Sequence, residues 1–256
     1  MSLPKRNRIQ HLLANWPSGM VATTAWLNSL GISKQLVQKY LDSGWVSALG
    51  KGAYCKHGDQ SSIWGACFAM QAHLKVPIHI GALSALELKG FSHYVRVTPT
   101  PIYIFTDLKS NIPLWFKKTN WKIEPRIIST TFLPIEAGMT KHTIEGFELN
   151  ISSPERAILE MLYLAPKHLD LVETYQVLEG LQTLRPILMQ ELLQQRNSIK
   201  VKRLFLFMAK KAQLPVFPHL NLNTVNLGSG VRTITPEGVY DATFGLILPK
   251  ELMNYD

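Results

Sequence analysis

Residues 21–56 show a pattern of apolar and polar positions that predicts two short helices, a tight turn between them and a two-stranded hairpin. Thr23 is placed to begin the first helix, which continues through Leu30, and Ser33 is placed to begin the second. Gly31 between them can adopt the left-handed conformation that ends a helix. This order is typical of a winged helix-turn-helix, in which the second helix enters the major groove of DNA.

The second predicted helix, residues 33–43, has one apolar face and one polar face. The apolar positions recur with helical spacing and should pack inward; they are Leu36, Val37, Tyr40 and Leu41. The polar face carries Lys and Gln, which can bind phosphates and base edges; its residues are Lys34, Gln35, Gln38 and Lys39. An ordinary amphipathic helix with a solvated face is the alternative, but the adjacent turn and wing favour DNA contact.

The hairpin predicts further DNA contacts. Its strands, 45–49 and Ala53–Lys56, flank Gly50-Lys51-Gly52, a tip whose two glycines accept positive φ. Lys51 at this tip is suited to a phosphate or to the edge of the minor groove. We also predict phosphate contacts at a helix start and from a basic arm, made by Thr23, Thr24, Arg6 and Arg8. Simple helix capping and a solvated tail are the respective alternatives.

The remaining pattern predicts an α+β fold. Predicted helices cover residues 5–15, 63–73, 81–89, 155–164, 169–182, 186–196 and 199–212. Predicted strands cover 95–97, 101–106, 121–128, 146–151 and 239–248. We therefore expect an N-terminal winged helix-turn-helix domain over residues 1–90, with its boundary between 75 and 95, followed by a larger mixed α/β domain over 91–256.

The positive charge of the chain is concentrated on the predicted DNA-binding segment. The net charge is +9, and residues 1–95 hold 9 Lys and Arg against 3 Asp and Glu. Residues 96–150 hold 7 against 5, and residues 151–256 hold 11 against 10. A surface that faces phosphates should be basic in this way. The alternative is that the positive charge serves only solubility. The concentration of this charge on the predicted DNA-binding segment argues against that alternative.

We expect a cytoplasmic protein that makes no membrane contact and needs no metal or cofactor. No apolar run approaches the roughly 18 residues that span a bilayer, and the basic N-terminus does not continue into a signal peptide. The two cysteines make no disulfide framework. Metal-ligating residue types occur close together, but their spacing does not match that of zinc sites; they are Cys55, His57, Cys67 and His73.

An enzyme is not expected. The carboxylates of the strand-rich segment are scattered rather than spaced to share a metal ion; they are Asp107, Glu124, Glu145, Glu148 and Asp241. A metal-dependent nuclease delivered to DNA by the winged helix is the alternative. A winged helix used for protein docking is a third hypothesis.

Two further groups of charged residues occur in the second half of the chain. A basic cluster on helix 199–212 is either an auxiliary nucleic-acid surface or a solvated face; it consists of Lys200, Lys202, Arg203, Lys210 and Lys211. At the start of helix 155–164, we interpret Glu155 and Arg156 as structural ion-pairing residues, with Glu160 one turn after Arg156.

Four motifs together resemble the AbiEi family of antitoxins. They are the helix-turn-helix, the wing sequence GKGAY at 50–54, GALSALELKG at 81–90 and SPERAILE at 153–160, in this order over about residues 5–165. The resemblance implies a type IV toxin–antitoxin or abortive-infection (phage-defence) system, in which the antitoxin represses its own operon by binding inverted repeats in the promoter.

The resemblance also implies a functional partner and a set of DNA contacts. The partner would be a nucleotidyltransferase-like toxin, countered without a stable complex. The DNA contacts would fall on Lys34, Gln35, Gln38, Lys39 and Lys51. No catalytic residue is implied. The oligomeric state stays open, because a dimer or two cooperative monomers could bind an inverted repeat.

Overall fold

The computed structural model describes residues 5–91, 100–195 and 198–254, with side chains from Ile9 onward. Before residue 91 the elements are α1 Lys5–Ala14, β1 Ala22–Thr23, α2 Thr24–Ser29, α3 Lys34–Asp42, β2 Val46–Gly50, β3 Ala53–Lys56, α4 Ile63–Phe68 with a π-helical continuation Ala69–His73, β4 Ile78–Ile80 and α5 Ala82–Leu88. After residue 100 they are β5 Ile102–Thr106, α6 Leu114–Lys118, β6 Pro125–Ser129, β7 Met139–Ile144, β8 Phe147–Ser152, α7 Pro154–Leu164, α8 Leu171–Glu179, α9 Pro186–Gln194, α10 Ile199–Lys211, two short 3₁₀ helices, β9 Arg232–Thr233, β10 Val239–Asp241, β11 Leu246–Leu248 and α11 Lys250–Asn254.

The fold is α+β, with an N-terminal winged helix-turn-helix and a larger mixed α/β part, as predicted. The winged helix contains a small sheet in the order β1-β3-β2, in which β2 and β3 form the hairpin. A second small sheet, β10-β11-β9, lies near the C-terminus. The predicted strand at 95–97 lies outside the described residues.

A five-stranded mixed sheet in the order β6-β5-β4-β8-β7 joins the two halves of the chain. β5 and β6 are parallel, β4 and β8 are parallel, and β4 is antiparallel to β5. The central strand β4 has only three residues and all are buried. Because a strand this short gives little alternation to recognise, the sequence pattern did not predict it.

The two faces of this sheet belong to two different hydrophobic cores. One face carries isoleucine side chains such as Ile80 and Ile104, which pack with the winged helix and α4. The other face carries Tyr103 and Phe105, which pack with α5 and the helices α7 to α10. The sheet is therefore the middle layer between the winged helix and a helical layer. The division at residue 90 stays a prediction, and β4 and α5, which precede it, pack against elements that follow it.

α7 is fixed by a buried cluster of charged groups. Ser153 caps this helix, and Pro154 occupies its first turn. Arg156 Nε donates to Glu160 Oε1 at 2.7 Å, which confirms the ion pair expected one turn apart. His79 Nε2 approaches the same oxygen at 2.8 Å from β4, across the helix–sheet interface.

Further hydrogen bonds complete this cluster. Glu160 Oε2 accepts from Ser152 Oγ at 2.8 Å and from the backbone N–H of Ala82 at 2.9 Å. Burial by itself would raise the pKa of Glu160, but the hydrogen bonds and charge interactions with His79 and Arg156 outweigh it and lower the pKa to about 2. Glu160 is therefore an ionised carboxylate inside the protein. Glu155 pairs with Arg185 instead, through two 2.9 Å hydrogen bonds.

Candidate DNA-binding face

The turn between α2 and α3 is a Schellman motif built on Gly31. Gly31 has φ of +72°, its N–H donates to Asn28 O at 2.9 Å, and the N–H of Ile32 donates to Leu27 O at 3.0 Å. Ser33 then begins α3, since its Oγ accepts from the N–H of Leu36 at 3.3 Å. Local capping thus fixes the angle between the two helices, as the sequence predicted.

α3 presents the predicted polar face to solvent. Val37 and Tyr40 are 5% and 7% exposed and pack into the core, with Leu36 and Leu41 partly buried beside them. The four polar residues of the opposite face are all exposed; they are Lys34, Gln35, Gln38 and Lys39. The structure therefore brings these four side chains together on one face.

Gln38 is engaged with a neighbour on this face. Its Nε2 donates to Asp42 Oδ1 at 2.9 Å, one turn further along α3. A base contact by the Gln38 amide requires this bond to break or to be shared. Asp42 also places a carboxylate at the end of the otherwise basic and neutral face.

The wing tip is held by the start of α2. Gly52 has φ of +80°, and its carbonyl accepts from the backbone N–H of Thr24 at 3.0 Å. Lys51 is exposed at the tip, as predicted. Gly50 does not have the predicted positive φ, and a small residue is needed there for another reason. A Cβ at Gly50 would lie 2.8 Å from Cβ of Trp115 on α6.

α6 therefore supports the wing, and the sequence pattern did not predict this helix. Lys117 and Lys118 in its last turn are exposed, and Lys118 lines the same groove as Lys51. The sequence does contain a group of basic residues within 117–122, and this group indicated a positively charged segment. Its position beside the wing depends on tertiary packing that no local pattern specifies.

One of the predicted phosphate contacts, Thr23, is corrected by the structure, and the others stay predictions. Thr23 is fully buried, and its Oγ1 accepts from the N–H of Trp26 at 3.2 Å, so its role is capping. Thr24 is half-buried and uses its backbone N–H to hold the wing tip. Arg6 and Arg8 lie in α1 rather than in an extended arm, and their side chains are outside the described residues.

The auxiliary basic surface on α10 is also corrected. Lys202 and Arg203 are 2% and 5% exposed, and burial lowers the pKa of Lys202. Arg203 donates to the carbonyls of three loop residues, at 2.6–3.1 Å. Lys200 Nζ donates to the carbonyls of Tyr163 and Ala165 at 3.1 and 2.6 Å.

The last two members of this basic group differ from the others. Lys211 is partly buried and lies near the carbonyl of Met253, whereas Lys210 is exposed. The five residues thus do not form one solvent-facing surface. Residues 214–254 cover the polar side of α10, and the amphipathic pattern did not reveal this cover.

No helix in the described segments is long and apolar enough to cross a membrane.

The comparisons with known proteins agree with the fold described above. The family model for the AbiEi antitoxin transcriptional regulator N-terminal domain matches residues 5–97. The model for the AbiEi antitoxin transcriptional regulators of type IV toxin–antitoxin systems matches residues 100–249.

One solved structure shows the same fold along almost the whole chain. The crystal structure of the RV2827C protein from Mycobacterium tuberculosis aligns with a TM-score of 0.61 and 12% sequence identity. The alignment covers 98% of this chain and 94% of that one. A comparison with curated proteins gives no significant match.

Proposed function

The chain belongs to the AbiEi antitoxin family of type IV toxin–antitoxin transcriptional regulators, and we propose that it represses its own operon by binding inverted repeats in its promoter. We propose further that it counters a nucleotidyltransferase-like toxin without forming a stable complex with it. The DNA contacts come from α3 and the wing, and Lys117 and Lys118 extend the basic surface beside the wing.

The observation that carries this proposal is the exposed face of α3. Its lysines and glutamines project from a helix whose other side is packed into the core and whose start is fixed by Gly31 and Ser33. A rigidly held helix of this kind can enter the major groove and bind base edges, while Lys51 binds a phosphate.

A metal-dependent nuclease, the alternative to a regulator, would need several metal-ligating side chains to converge on one ion. Among residues 5–91, 100–195 and 198–254, no three His, Cys, Asp or Glu side chains converge in a way that could hold a metal ion.

A mobility-shift titration against the DNA upstream of the chain's own gene tests the DNA-binding half of the proposal. The triple variant Lys34→Ala, Lys39→Ala, Lys51→Ala should bind this DNA with much lower affinity. Its plot of log affinity against log salt should flatten by about one unit for each lysine that no longer neutralises a phosphate. Unchanged binding by the triple variant would refute the assignment of this face.

The chain offers a control that is matched in charge. Lys167, Lys210 and Lys250 are exposed and lie on the helical layer or its cover, across the sheet from the winged helix. Their triple replacement by Ala removes the same charge and should leave the affinity for specific DNA nearly unchanged. An equal decrease in both triple variants would show that only net charge matters.

The toxin-directed half is tested by co-expression. Wild-type protein and the α3–wing triple variant should both restore growth of cells that express the neighbouring toxin gene, and affinity capture should recover no complex. Capture of a stoichiometric complex would instead support the protein-docking hypothesis.

A further inference from the structure

A groove of about 620 Å³ lies between the tip of the wing and α6. Its walls include Leu49, Lys51, Leu74, Leu114, Trp115 and Lys118. The two sides are in close contact, because Gly50 packs so near to α6 that a Cβ there would lie 2.8 Å from Cβ of Trp115. The groove is therefore preformed, and its volume is within the range of small-molecule sites.

The charged groups of this groove are cations. Lys51 and Lys118 are both exposed, and no described residue forms an ion pair with either of them. None of the described Asp and Glu residues lines the groove. Because an ammonium on a flexible four-carbon stem can move to meet an anion, both lysines can pair with a ligand that lies between the wing and α6. The groove is thus suited to a negatively charged ligand.

The rest of the groove is mainly apolar. Leu114, the first residue of α6, is 62% exposed, and Leu49 and Leu74 are partly buried in the same walls. Apolar side chains that line a concave surface are typical of ligand-binding grooves. A DNA phosphate would use the lysines and leave these apolar walls uncovered, since phosphates are bound by polar groups. An anion with an apolar body would cover them.

We propose that this groove binds a small organic anion with an apolar ring, such as an aromatic carboxylate, and that the bound anion weakens DNA binding. The anionic group pairs with Lys51 and Lys118, and the ring packs on Leu49, Leu74 and Leu114. The second half of this inference rests on the proposed function, because Lys51 is one of the proposed DNA contacts. A lysine that is paired with the ligand cannot neutralise a DNA phosphate at the same time, so the two partners compete.

Calorimetric titration of the full chain, without DNA, with 2-naphthoate and with 2-naphthamide tests the ligand site. The two probes share the bicyclic ring and differ in charge. We expect 2-naphthoate to bind and 2-naphthamide to bind at least tenfold more weakly, because the amide forms no charge-assisted hydrogen bonds as an anion. A third probe, 2-naphthyl phosphate, distinguishes a phosphate from a carboxylate as the preferred anionic group.

Two leucine variants show where the probe binds. Leu114→Glu places a carboxylate in the groove and should abolish the binding of 2-naphthoate. Its matched control is Leu108→Glu, which makes the same change at a leucine that is 64% exposed in the loop after β5, outside the groove. Both variants should stay folded because both side chains are largely exposed, and the control should bind 2-naphthoate as the wild type does. In methyl NMR spectra of the wild type, 2-naphthoate should shift the resonances of Leu74 and Leu114 and leave those of Leu108 in place.

Fluorescence anisotropy with the DNA upstream of the chain's own gene measures the competition. Saturating 2-naphthoate should lower the DNA affinity several-fold for the wild type and for Leu108→Glu. The same concentration of 2-naphthamide should leave the affinity unchanged. The DNA affinity of Leu114→Glu should not respond to 2-naphthoate.

Three results would overturn the ligand site. They are the absence of binding by both 2-naphthoate and 2-naphthyl phosphate, equal binding of 2-naphthoate and 2-naphthamide, and undiminished binding of 2-naphthoate by Leu114→Glu. Binding of 2-naphthoate without any change in DNA affinity would overturn the competition. Because the calorimetry contains no DNA, a protein that bound the probe but not the upstream DNA would refute the proposed function and support the ligand site.

Discussion

At the scale of single residues, the DNA-binding face depends on which side chains are free to bind. Gln38 is exposed, but Asp42 accepts a hydrogen bond from its amide. The carboxylate of Asp42 would also face DNA phosphates and be repelled by them. We therefore expect Asp42 to weaken the proposed DNA binding in two ways, by its charge and by its hydrogen bond with Gln38.

Replacement of Asp42 separates these two effects. Asp42→Asn removes the charge and keeps an oxygen that can accept from Gln38, whereas Asp42→Ala removes both. We expect several-fold tighter DNA binding for Asp42→Asn and a further gain for Asp42→Ala, measured by fluorescence anisotropy at fixed salt. Weaker binding by either variant would contradict this role of Asp42.

The residues of the candidate site were predictable where local chemistry decided their exposure. The four polar residues of α3 and Lys51 are exposed because helical spacing and a glycine-flanked turn place them so. Thr23 was misjudged, since a capping hydroxyl and a phosphate-binding hydroxyl have the same sequence pattern. Lys118 was missed because only tertiary packing brings α6 to the wing.

At the scale of elements, α7 shows how a buried charge can hold a helix on a sheet. Arg156 and Glu160 are on this helix, and His79 is on β4. A buried ion pair contributes little compared with an apolar pair, but removal of one partner leaves an uncompensated charge. The packing of α7 on the sheet should therefore be destabilised strongly when one member of the ion pair is replaced, and less strongly when both members are replaced together.

A double-mutant cycle measures this coupling. Arg156→Met should lower the free energy of unfolding by about 3–5 kcal/mol because Glu160 is left buried without its cation. Adding Glu160→Gln should recover part of that decrease. Urea denaturation of the two single variants and the double variant gives the coupling, and strictly additive effects would show that the pair is not coupled.

The elements that the sequence predicted well are those with their own end signals. α2, α3 and α7 each begin at a Ser or Thr whose side chain caps the helix. β4 was missed because it is short and is stabilised by pairing with the distant strands β5 and β8. β7 was missed although it pairs with its sequence neighbour β8 in a hairpin. α10 was predicted as a helix, but its basic face was misjudged because later loops supply carbonyl partners for Arg203.

At the scale of the whole molecule, the winged helix and the helical layer share one sheet. The winged-helix core includes sheet residues that follow residue 100, such as Ile104 and Leu149. Residues 1–91 alone would lack these partners and would expose apolar surface to water. The family models divide the chain between residues 97 and 100, but each of the two hydrophobic cores contains residues from both sides of this division.

A fragment that ends at residue 91 tests this interdependence. We expect it to melt at a much lower temperature than the full chain, or without a cooperative transition, by circular dichroism. The full chain should unfold in one transition for probes in both layers. A fragment that melted as sharply and at the same temperature as the full chain would show that the winged helix is independent.

The pairing of Ile80 with Ile151 has a consequence for protein synthesis. The winged helix leaves the ribosome first, but β8, which completes one side of its support, is translated much later. Non-local strand pairing is slow, and exposed apolar faces of nascent chains are prone to aggregation. Prematurely terminated chains would therefore bind DNA poorly and be degraded readily by proteases. The amount of DNA-bound regulator would then depend on the number of chains that are synthesised to completion.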